Sequence, residues 1–107
     1  MSKNFISLAD AKELTKRYRA NLAAIATPEY ADSLKNSETF DAEAIKAILA
    51  QEGCVEFRTY YGMKEDKSIC SIFVGVDAKG NDILPAGIEV IAENGMVCPP
   101  FCNENQL

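Results

Sequence analysis

The sequence predicts an α+β domain in which two helices pack on one face of a three-stranded antiparallel meander, in the chain order α-α-β-β-β. The main observation is a change of period: apolar residues recur at helical spacing in the first half and alternate with polar residues from Cys54 onward. A length of 107 residues with 48% hydrophobic and 25% charged side chains suits one globular domain. Residues 1–107 are therefore interpreted as a single domain, in which residues 97–107 form a C-terminal tail containing cysteine and proline.

The first helix is predicted to begin after Ser7. Ser7 and Asp10 have the spacing of a capping box, in which a serine and an acidic residue satisfy free backbone donors at the start of a helix. Pro28 is expected to end the helix near Ala26. Apolar residues at steps of three and four form one stripe facing the core: Ala11, Leu14, Tyr18, Leu22 and Ile25.

The second helix is predicted to begin after Asp41, whose side chain can cap it while Phe40 packs on Ile45 as a hydrophobic staple. Gly53 is expected to end it, because glycine readily adopts the left-handed conformation that follows many helices. Its apolar face consists of Ala44, Ile45, Ile48 and Leu49. The polar residues 29–39 between the two helices fit neither period.

Residues 54–63 and 68–77 alternate in polarity and flank the polar sequence KEDK, which predicts an antiparallel hairpin centred between Glu65 and Asp66. This register pairs Thr59 with Ile72, and a shift of one residue would divide the apolar side chains between two faces. A turn at residues 77–82 and a third strand at residues 88–92 complete the predicted sheet. The face expected to form the core contains Val55, Phe57, Thr59, Tyr61, Cys70, Ile72, Val74 and Val76.

The opposite face of the hairpin is predicted to be an interaction surface formed by Arg58, Tyr60, Ile69 and Phe73. Tyrosine and arginine concentrate binding energy at interfaces, and the apolar area of this face requires a cover. We expect that cover to be an unidentified protein partner or a second copy of the chain in a homodimer. The alternative cover is the tail, folded back through Val97, Pro99, Pro100 and Phe101.

Charge and composition argue against several classes of function. The net charge of −5 would repel a phosphate backbone, so no nucleic-acid partner is predicted. The absence of histidine removes Ser-His-Asp triads and Cys-His dyads, and no catalytic residue is predicted. Residues 1–10 lack the features of a signal peptide, and the longest uncharged apolar stretch, residues 68–76, is too short to cross a bilayer. These features favour a cytoplasmic location without a membrane partner.

The four cysteines are expected to be free thiols in a reducing cytoplasm. The predicted hairpin separates Cys54 from Cys70, which argues against a four-cysteine zinc site, and no metal or other cofactor is predicted. Cys98 and Cys102 remain candidates for redox chemistry or for metal binding with carboxylates. Packing of a rigid tail is the simpler explanation, because Pro99 and Pro100 favour an extended chain that holds the two thiols apart.

Four segments of the sequence carry a resemblance: SETFD at 37–41, RTYYGM at 58–63, VGVDAKGNDILP at 74–85 and CPPFC at 98–102. With the capped first helix, they make the chain similar over nearly its whole length to a group of small uncharacterised bacterial proteins. The resemblance implies a one-domain protein. Because that group has no assigned activity, the resemblance adds no catalytic residue, cofactor or ligand.

These observations predict a small non-catalytic module that binds another protein or associates with itself. The alternative is a thiol-dependent redox or metal-binding protein that uses Cys98 and Cys102. A third hypothesis is a small-molecule-binding fold with a pocket between the sheet and the helices. The sequence identifies no ligand for any of the three.

Overall fold

The computed structural model describes residues 2–84, 95–100, 102–103 and 106–107. Over these residues the fold is α+β, as predicted, with two helices, a three-stranded antiparallel sheet and a separate two-stranded antiparallel sheet. In chain order the elements are α1 (Leu8–Ile25), a 3₁₀ turn (Pro28–Tyr30), β1 (Ser37–Thr39), α2 (Ala42–Leu49), β2 (Glu56–Met63), β3 (Ile69–Val76), β4 (Asp82–Ile83) and β5 (Met96–Cys98). The order therefore agrees only roughly with α-α-β-β-β, since β1 precedes α2 and more strands are present.

Helix α1 begins where the sequence predicts. The Ser7 side chain accepts a hydrogen bond from the Asp10 amide at 3.0 Å, and Pro28 opens the following turn. The predicted stripe is only partly correct, because Leu14 and Ile25 are exposed while Ala11, Tyr18 and Leu22 are half-buried. No residue of α1 is fully buried. Neither α1 nor α2 combines the length and hydrophobicity required to cross a bilayer.

Helix α2 packs closely on strand β3 and forms part of the core. The Asp41 side chain accepts from the Glu43 amide, and Gly53 follows the helix with a φ of +80°, as predicted. Ile48 is 1% exposed, and its carbonyl oxygen lies 3.4 Å from the position that a Cβ on Gly75 would occupy. The absence of a side chain at Gly75 therefore allows the helix to approach the strand.

The predicted register of the β2–β3 hairpin is wrong by one residue, since Thr59 lies opposite Phe73 rather than Ile72. The turn explains the shift. Lys64 accepts a backbone hydrogen bond from Lys67, which has a φ of +72°, and Lys64 pairs with Ser68 around a three-residue loop. Residues 64 and 68, rather than 63 and 68, therefore close the hairpin.

This register changes which side chains form the core. Even-numbered residues of β2 share a face with even-numbered residues of β3, and the odd-numbered residues share the other face. Of the predicted core, Cys70, Val74 and Val76 are buried as expected. The prediction is wrong for three residues on the β2 side, because Val55, Phe57 and Tyr61 are exposed.

The remaining strands were not predicted as they occur. Strand β4 pairs with β3 through Gly75–Ile83 and Val76–Asp82, whereas the predicted strand at 88–92 lies outside the described residues. Strand β1 pairs with β5 in antiparallel register, with Ser37 opposite Cys98. The first residues of the predicted tail thus belong to a strand.

Candidate functional site at the edges of the sheet

The direction of the backbone groups in the hairpin follows from three hydrogen bonds. The Lys64 amide donates to the Ser68 carbonyl, so that pair is hydrogen-bonded. Hydrogen-bonded and non-hydrogen-bonded pairs alternate along an antiparallel ladder, so the even-numbered residues of β2 direct their N–H and C=O groups toward β3. The odd-numbered residues of β3 face away from β2, in agreement with the amides of Ile69 and Ser71, which donate to groups outside the hairpin.

The outer edge of β3, formed by its odd-numbered residues and called here the β3 edge, is covered by several segments. The Ile69 amide donates to the carbonyl of Ser33 at 2.9 Å, and Ser33 is itself buried. The Ser71 amide donates to Glu38 Oε1 at 2.9 Å. Farther along, β4 pairs with Gly75. These contacts satisfy backbone groups that would otherwise form an open edge.

The outer edge of β2, called here the β2 edge, consists of the N–H and C=O groups of Phe57, Thr59, Tyr61 and Met63. Within the described part of the chain, no backbone or side-chain hydrogen bond reaches these groups. The pairing with β3 continues from residue 56 to residue 63 without a bulge, and the segment contains neither proline nor lysine. It therefore lacks several of the devices by which natural sheets protect an edge.

Large apolar side chains are exposed along the β2 edge. Phe57 is 52% exposed, Tyr61 is 80% exposed, and Val55 and Met63 are also more than half exposed. Phe57 contacts Phe73 edge-to-face, with ring centroids 5.7 Å apart, which holds one side of its ring against the sheet. The rest of the Phe57 side chain and most of the Tyr61 side chain are exposed.

Arg58 and Tyr60, two of the four predicted interaction residues, are engaged within the chain. Arg58 pairs with Asp82 at 2.6 Å, and the Tyr60 hydroxyl donates to the other oxygen of the same carboxylate at 2.5 Å. Hydrogen bonding with Tyr60 and the charge of Asp82 raise the pKa of Arg58 above its usual value. The two side chains thus fasten β4 to the hairpin, a role that the sequence analysis did not assign to them.

Ile69 and Phe73, the other two predicted interaction residues, belong to the opposite face from Arg58 and Tyr60. Phe73 also contacts Phe40, with ring centroids 4.8 Å apart, so it packs inside the chain. The predicted single surface is therefore corrected, because the shifted register divides it between two faces. The role of these residues in partner binding stays a prediction.

A cleft of about 510 Å³ lies at the end of the β3 edge, and we call it the Glu38 cleft. It is lined by Tyr18 of α1, residues 34–38, Tyr61, residues 69–71 and Val97. The Tyr18 hydroxyl donates to the carbonyl of Lys35 at 2.6 Å, and burial raises the pKa of Tyr18. Glu38 Oε2 is shielded from solvent and has no hydrogen-bond partner among the described residues.

Cys98 and Cys102 form a disulfide with Cα atoms 4.9 Å apart, so the expectation that both are free thiols is wrong. Residues 99 and 100 form a turn rather than an extended segment, and the Cys102 amide donates to the Pro100 carbonyl. Cys98 is buried, whereas Cys102 is exposed. Cys54 and Cys70 are free thiols, as expected.

The predicted tail lid is not formed by the prolines, since Pro99 and Pro100 are exposed; Phe101 lies outside the described residues. Among the described residues, no group of three or more cysteine, aspartate or glutamate side chains is arranged to hold a metal ion.

The sequence analysis missed the contacts of Glu38 and Asp82 with the hairpin. Thr39 and Phe40, whose residue types are enriched in strands, were the available signal that residue 38 lies in a strand.

No protein-family model, curated protein or solved structure matches this chain.

Proposed function

We propose that the protein is a small non-catalytic binding module that associates with a second copy of itself through the β2 edge. The observation that carries this proposal is a row of backbone groups on Phe57, Thr59 and Tyr61 that have no partner among the described residues, beside exposed aromatic side chains. A row of this kind is a template for the addition of another strand. Pairing of two β2 strands would join two three-stranded sheets into one.

The surface of the chain supports association. Among its exposed side chains, Phe57 at 52% and Tyr61 at 80% leave roughly 260 Å² of aromatic surface per chain at this edge. That is about half of the ~500 Å² per partner that a small specific interface requires. Val55, Met63 and the edge backbone add to it.

The sequence of β2 is complementary to itself in one antiparallel register. A two-fold axis at Thr59 would place Thr59 opposite the partner's Thr59 and Phe57 opposite the partner's Tyr61. All these residues direct their backbone groups toward the free edge, as the pairing requires. On the other face, Arg58 would lie opposite the partner's Tyr60. Because Asp82 already neutralises Arg58, this contact would bury no unpaired charge.

The Thr59→Pro variant tests the proposal. Proline at this position removes an outward N–H that no described residue accepts, so the fold is expected to persist while the dimer is lost. Thr59→Val is the matched control, since valine keeps the N–H and the branched shape. Light scattering across a concentration series should give a dimer for the wild type and Thr59→Val, and a folded monomer by circular dichroism for Thr59→Pro.

Two results would contradict the proposal. One is a wild type that remains monomeric at every concentration, and the other is a Thr59→Pro variant that dimerises as strongly as the wild type.

The register of the proposed dimer is tested separately by isotope-filtered NMR on a mixture of labelled and unlabelled chains. A short contact between the Hα atoms of Arg58 and the partner's Tyr60 is expected, because that pair is directly opposed and not hydrogen-bonded. A short contact between the Hα atoms of Arg58 and the partner's Gly62 would retain the edge and reject the register.

The disulfide favours one second candidate function, thiol–disulfide exchange. Its buried sulfur belongs to Cys98, so an incoming thiolate would attack the exposed Cys102. That step would form a mixed disulfide at Cys102 and release Cys98 as a thiolate. The candidate predicts reduction of insulin by the reduced protein, and a Cys102→Ser variant with the same activity as the wild type would reject it.

A further inference from the structure

A second cleft lies beside the disulfide, and we call it the disulfide cleft. Both Cys98 and Cys102 line it, and its volume is about 510 Å³. Cys98 is only 3% exposed, whereas Cys102 is open to solvent, so a molecule that enters the cleft reaches Cys102 rather than Cys98. The cleft therefore presents one side of the disulfide to a thiol from solution.

Arg19 is the only charged side chain among the described residues that line the disulfide cleft. It is exposed, and its Nη1 donates to the Leu107 backbone oxygen at 3.3 Å. The ion pairs of the described residues do not include Arg19. Because a guanidinium has five N–H donors, this single hydrogen bond leaves donors with which a carboxylate can pair.

The rest of the described lining contains no acidic side chain that would repel an anion. It is largely polar and neutral, with amide and hydroxyl groups from Asn36, Ser37, Thr39 and Asn103. The segment that carries Arg19 is also locally basic, since residues 1–26 contain five basic and two acidic residues although the whole chain has a net charge of −5. The local charge thus favours an anionic ligand at this cleft.

We propose that the disulfide cleft receives a small thiol that carries a carboxylate, and that Arg19 determines this specificity. The proposal rests on thiol–disulfide exchange, the second candidate function, and names its substrate class. The carboxylate pairs with the Arg19 guanidinium while the sulfur of the same molecule lies against Cys102. This pairing raises the effective concentration of the thiol at the disulfide.

The exchange proceeds in two steps. The thiolate of the small molecule attacks the Cys102 sulfur, a new S–S bond forms between them, and the bond to Cys98 breaks with release of the Cys98 thiolate. A second small thiolate attacks the small-molecule sulfur of this mixed disulfide and releases the Cys102 thiolate. Two small thiols are thereby oxidised to one disulfide, the protein disulfide gains two electrons, and the two protons that leave the small thiols pass through solvent to the two cysteines.

The experiment measures the rates at which two small thiols in excess reduce the disulfide of the full-length protein, followed by mass spectrometry after acid quenching. The thiols are 3-mercaptopropionate, which carries a carboxylate, and 2-mercaptoethanol, which is neutral and of similar size. Arg19→Gln removes the proposed contact. Arg17→Gln is the matched control, because Arg17 lies on the opposite side of α1 and pairs with Glu13.

Each thiol is compared with itself across the three proteins, so its intrinsic reactivity cancels. In Arg19→Gln the rate with 3-mercaptopropionate should fall at least about threefold at low ionic strength, the effect expected of an exposed ion pair. The rate with 2-mercaptoethanol should not change, and Arg17→Gln should leave both rates at their wild-type values. The effect of Arg19 should disappear in about 1 M salt, where the screening length is about 3 Å.

The wild type gives a second measurement that requires no variant. The ratio of its rate with 3-mercaptopropionate to its rate with 2-mercaptoethanol should exceed the same ratio for hydroxyethyl disulfide, a small neutral reference. A ratio at or below the reference would overturn the proposal, because repulsion by the net charge of −5 would produce it without Arg19.

Three results with the variants would also overturn the proposal and leave exchange itself in place. They are an equal loss of rate with both thiols, an equal loss in Arg17→Gln, and no loss in Arg19→Gln. A disulfide that neither thiol reduces in the folded protein would instead reject the exchange function and this substrate class together.

Discussion

The β2 edge and the β3 edge belong to one hairpin and yet differ in almost every respect. The β3 edge receives hydrogen-bonding partners from Ser33, Glu38 and β4, which lie on both sides of it in the sequence. The β2 edge receives none from the described residues. Of the segments that the structure describes, the irregular ones thus protect the β3 edge and none covers the β2 edge. This difference indicates where an additional strand can join.

Burial follows the same division. Strand β3 has four buried residues, Cys70, Val74, Gly75 and Val76, whereas β2 has no buried residue. Composition contributes to this difference, because β3 has no charged residue whereas β2 includes Glu56 and Arg58. The segments that cover the β3 edge contribute as well. We therefore expect substitutions with the same chemistry to have unequal effects on the two strands.

Proline substitution in β2 should give the largest contrast. The Tyr60 amide faces β3, so Tyr60→Pro removes a ladder hydrogen bond as well as the hydroxyl bond to Asp82, and it should lower the free energy of unfolding by at least about 2 kcal/mol. Thr59→Pro, one residue away, should cost far less in the monomer because its amide faces outward. Urea denaturation of both variants at a concentration that keeps them monomeric measures the contrast. Equal losses would mean that the backbone directions assigned to β2 are wrong.

Alanine at the two strand glycines should give the next effect. A Cβ on Gly75 would lie 2.7 Å from Gln51 Oε1 and 3.1 Å from Cys54 Sγ, under the segment that follows α2. Gly75→Ala should therefore destabilise the fold by about 1–2 kcal/mol through overpacking. At Gly62 the atoms nearest to the new Cβ are Cys70 Sγ at 3.1 Å and Ile72 Cδ1 at 3.2 Å, both in side chains. Thermal unfolding should show little change for Gly62→Ala; a larger loss there than at Gly75 would contradict the difference between the strands.

Removal of the Glu38 side chain should have a smaller effect at the β3 edge. Glu38→Ala leaves the Ser71 amide without its acceptor, and the expected loss of stability is about 1 kcal/mol. Hydrogen exchange of the Ser71 amide should accelerate in this variant and not in Glu38→Gln, which retains an acceptor. Unchanged exchange in both variants would show that Glu38 does not protect this edge.

The sequence was sufficient to predict features that depend on local chemistry. The caps at Ser7 and Asp41 and the glycine after α2 involve residues within a few positions of each other, and all three occur as predicted. The general α+β architecture and the existence of the hairpin also follow from the period of the apolar residues. These predictions do not require knowledge of distant contacts.

The register and the candidate sites could not be predicted in the same way. The register depends on Lys67, a non-glycine residue with positive φ, for which the sequence gives no signal. Glu38 accepts its hydrogen bond from Ser71, which lies 33 residues away in the chain. Arg58 and Tyr60 both contact Asp82, which is also distant in the sequence. Local sequence patterns do not reveal such tertiary contacts. An error of one residue in the turn then transferred half of the predicted interaction surface to the other face.

The smallest predicted effect concerns the turn that joins the two strands. The hydroxyl and amide of Ser68 both donate to Asp66, and these bonds lower the pKa of Asp66 below its ordinary value of 3.8. Because the folded-state pKa is the lower one, the stabilisation is present above pH 3.8 and is lost as the pH falls through the folded value. Asp66→Asn should weaken this acid dependence slightly. An NMR titration of Asp66 should show its pKa rising in Ser68→Ala, and an unchanged pKa would exclude the Ser68 bonds as the cause.

The short ladder between β1 and β5 has a kinetic consequence. Its partners lie about sixty residues apart in the chain, so its formation carries a far larger loop-closure cost than the hairpin does. Each of the two strands has three residues, which offer few hydrogen bonds in return. The ladder should therefore close last during folding and open first in the native state. Because it holds both Glu38 and Val97, its opening would separate two walls of the Glu38 cleft.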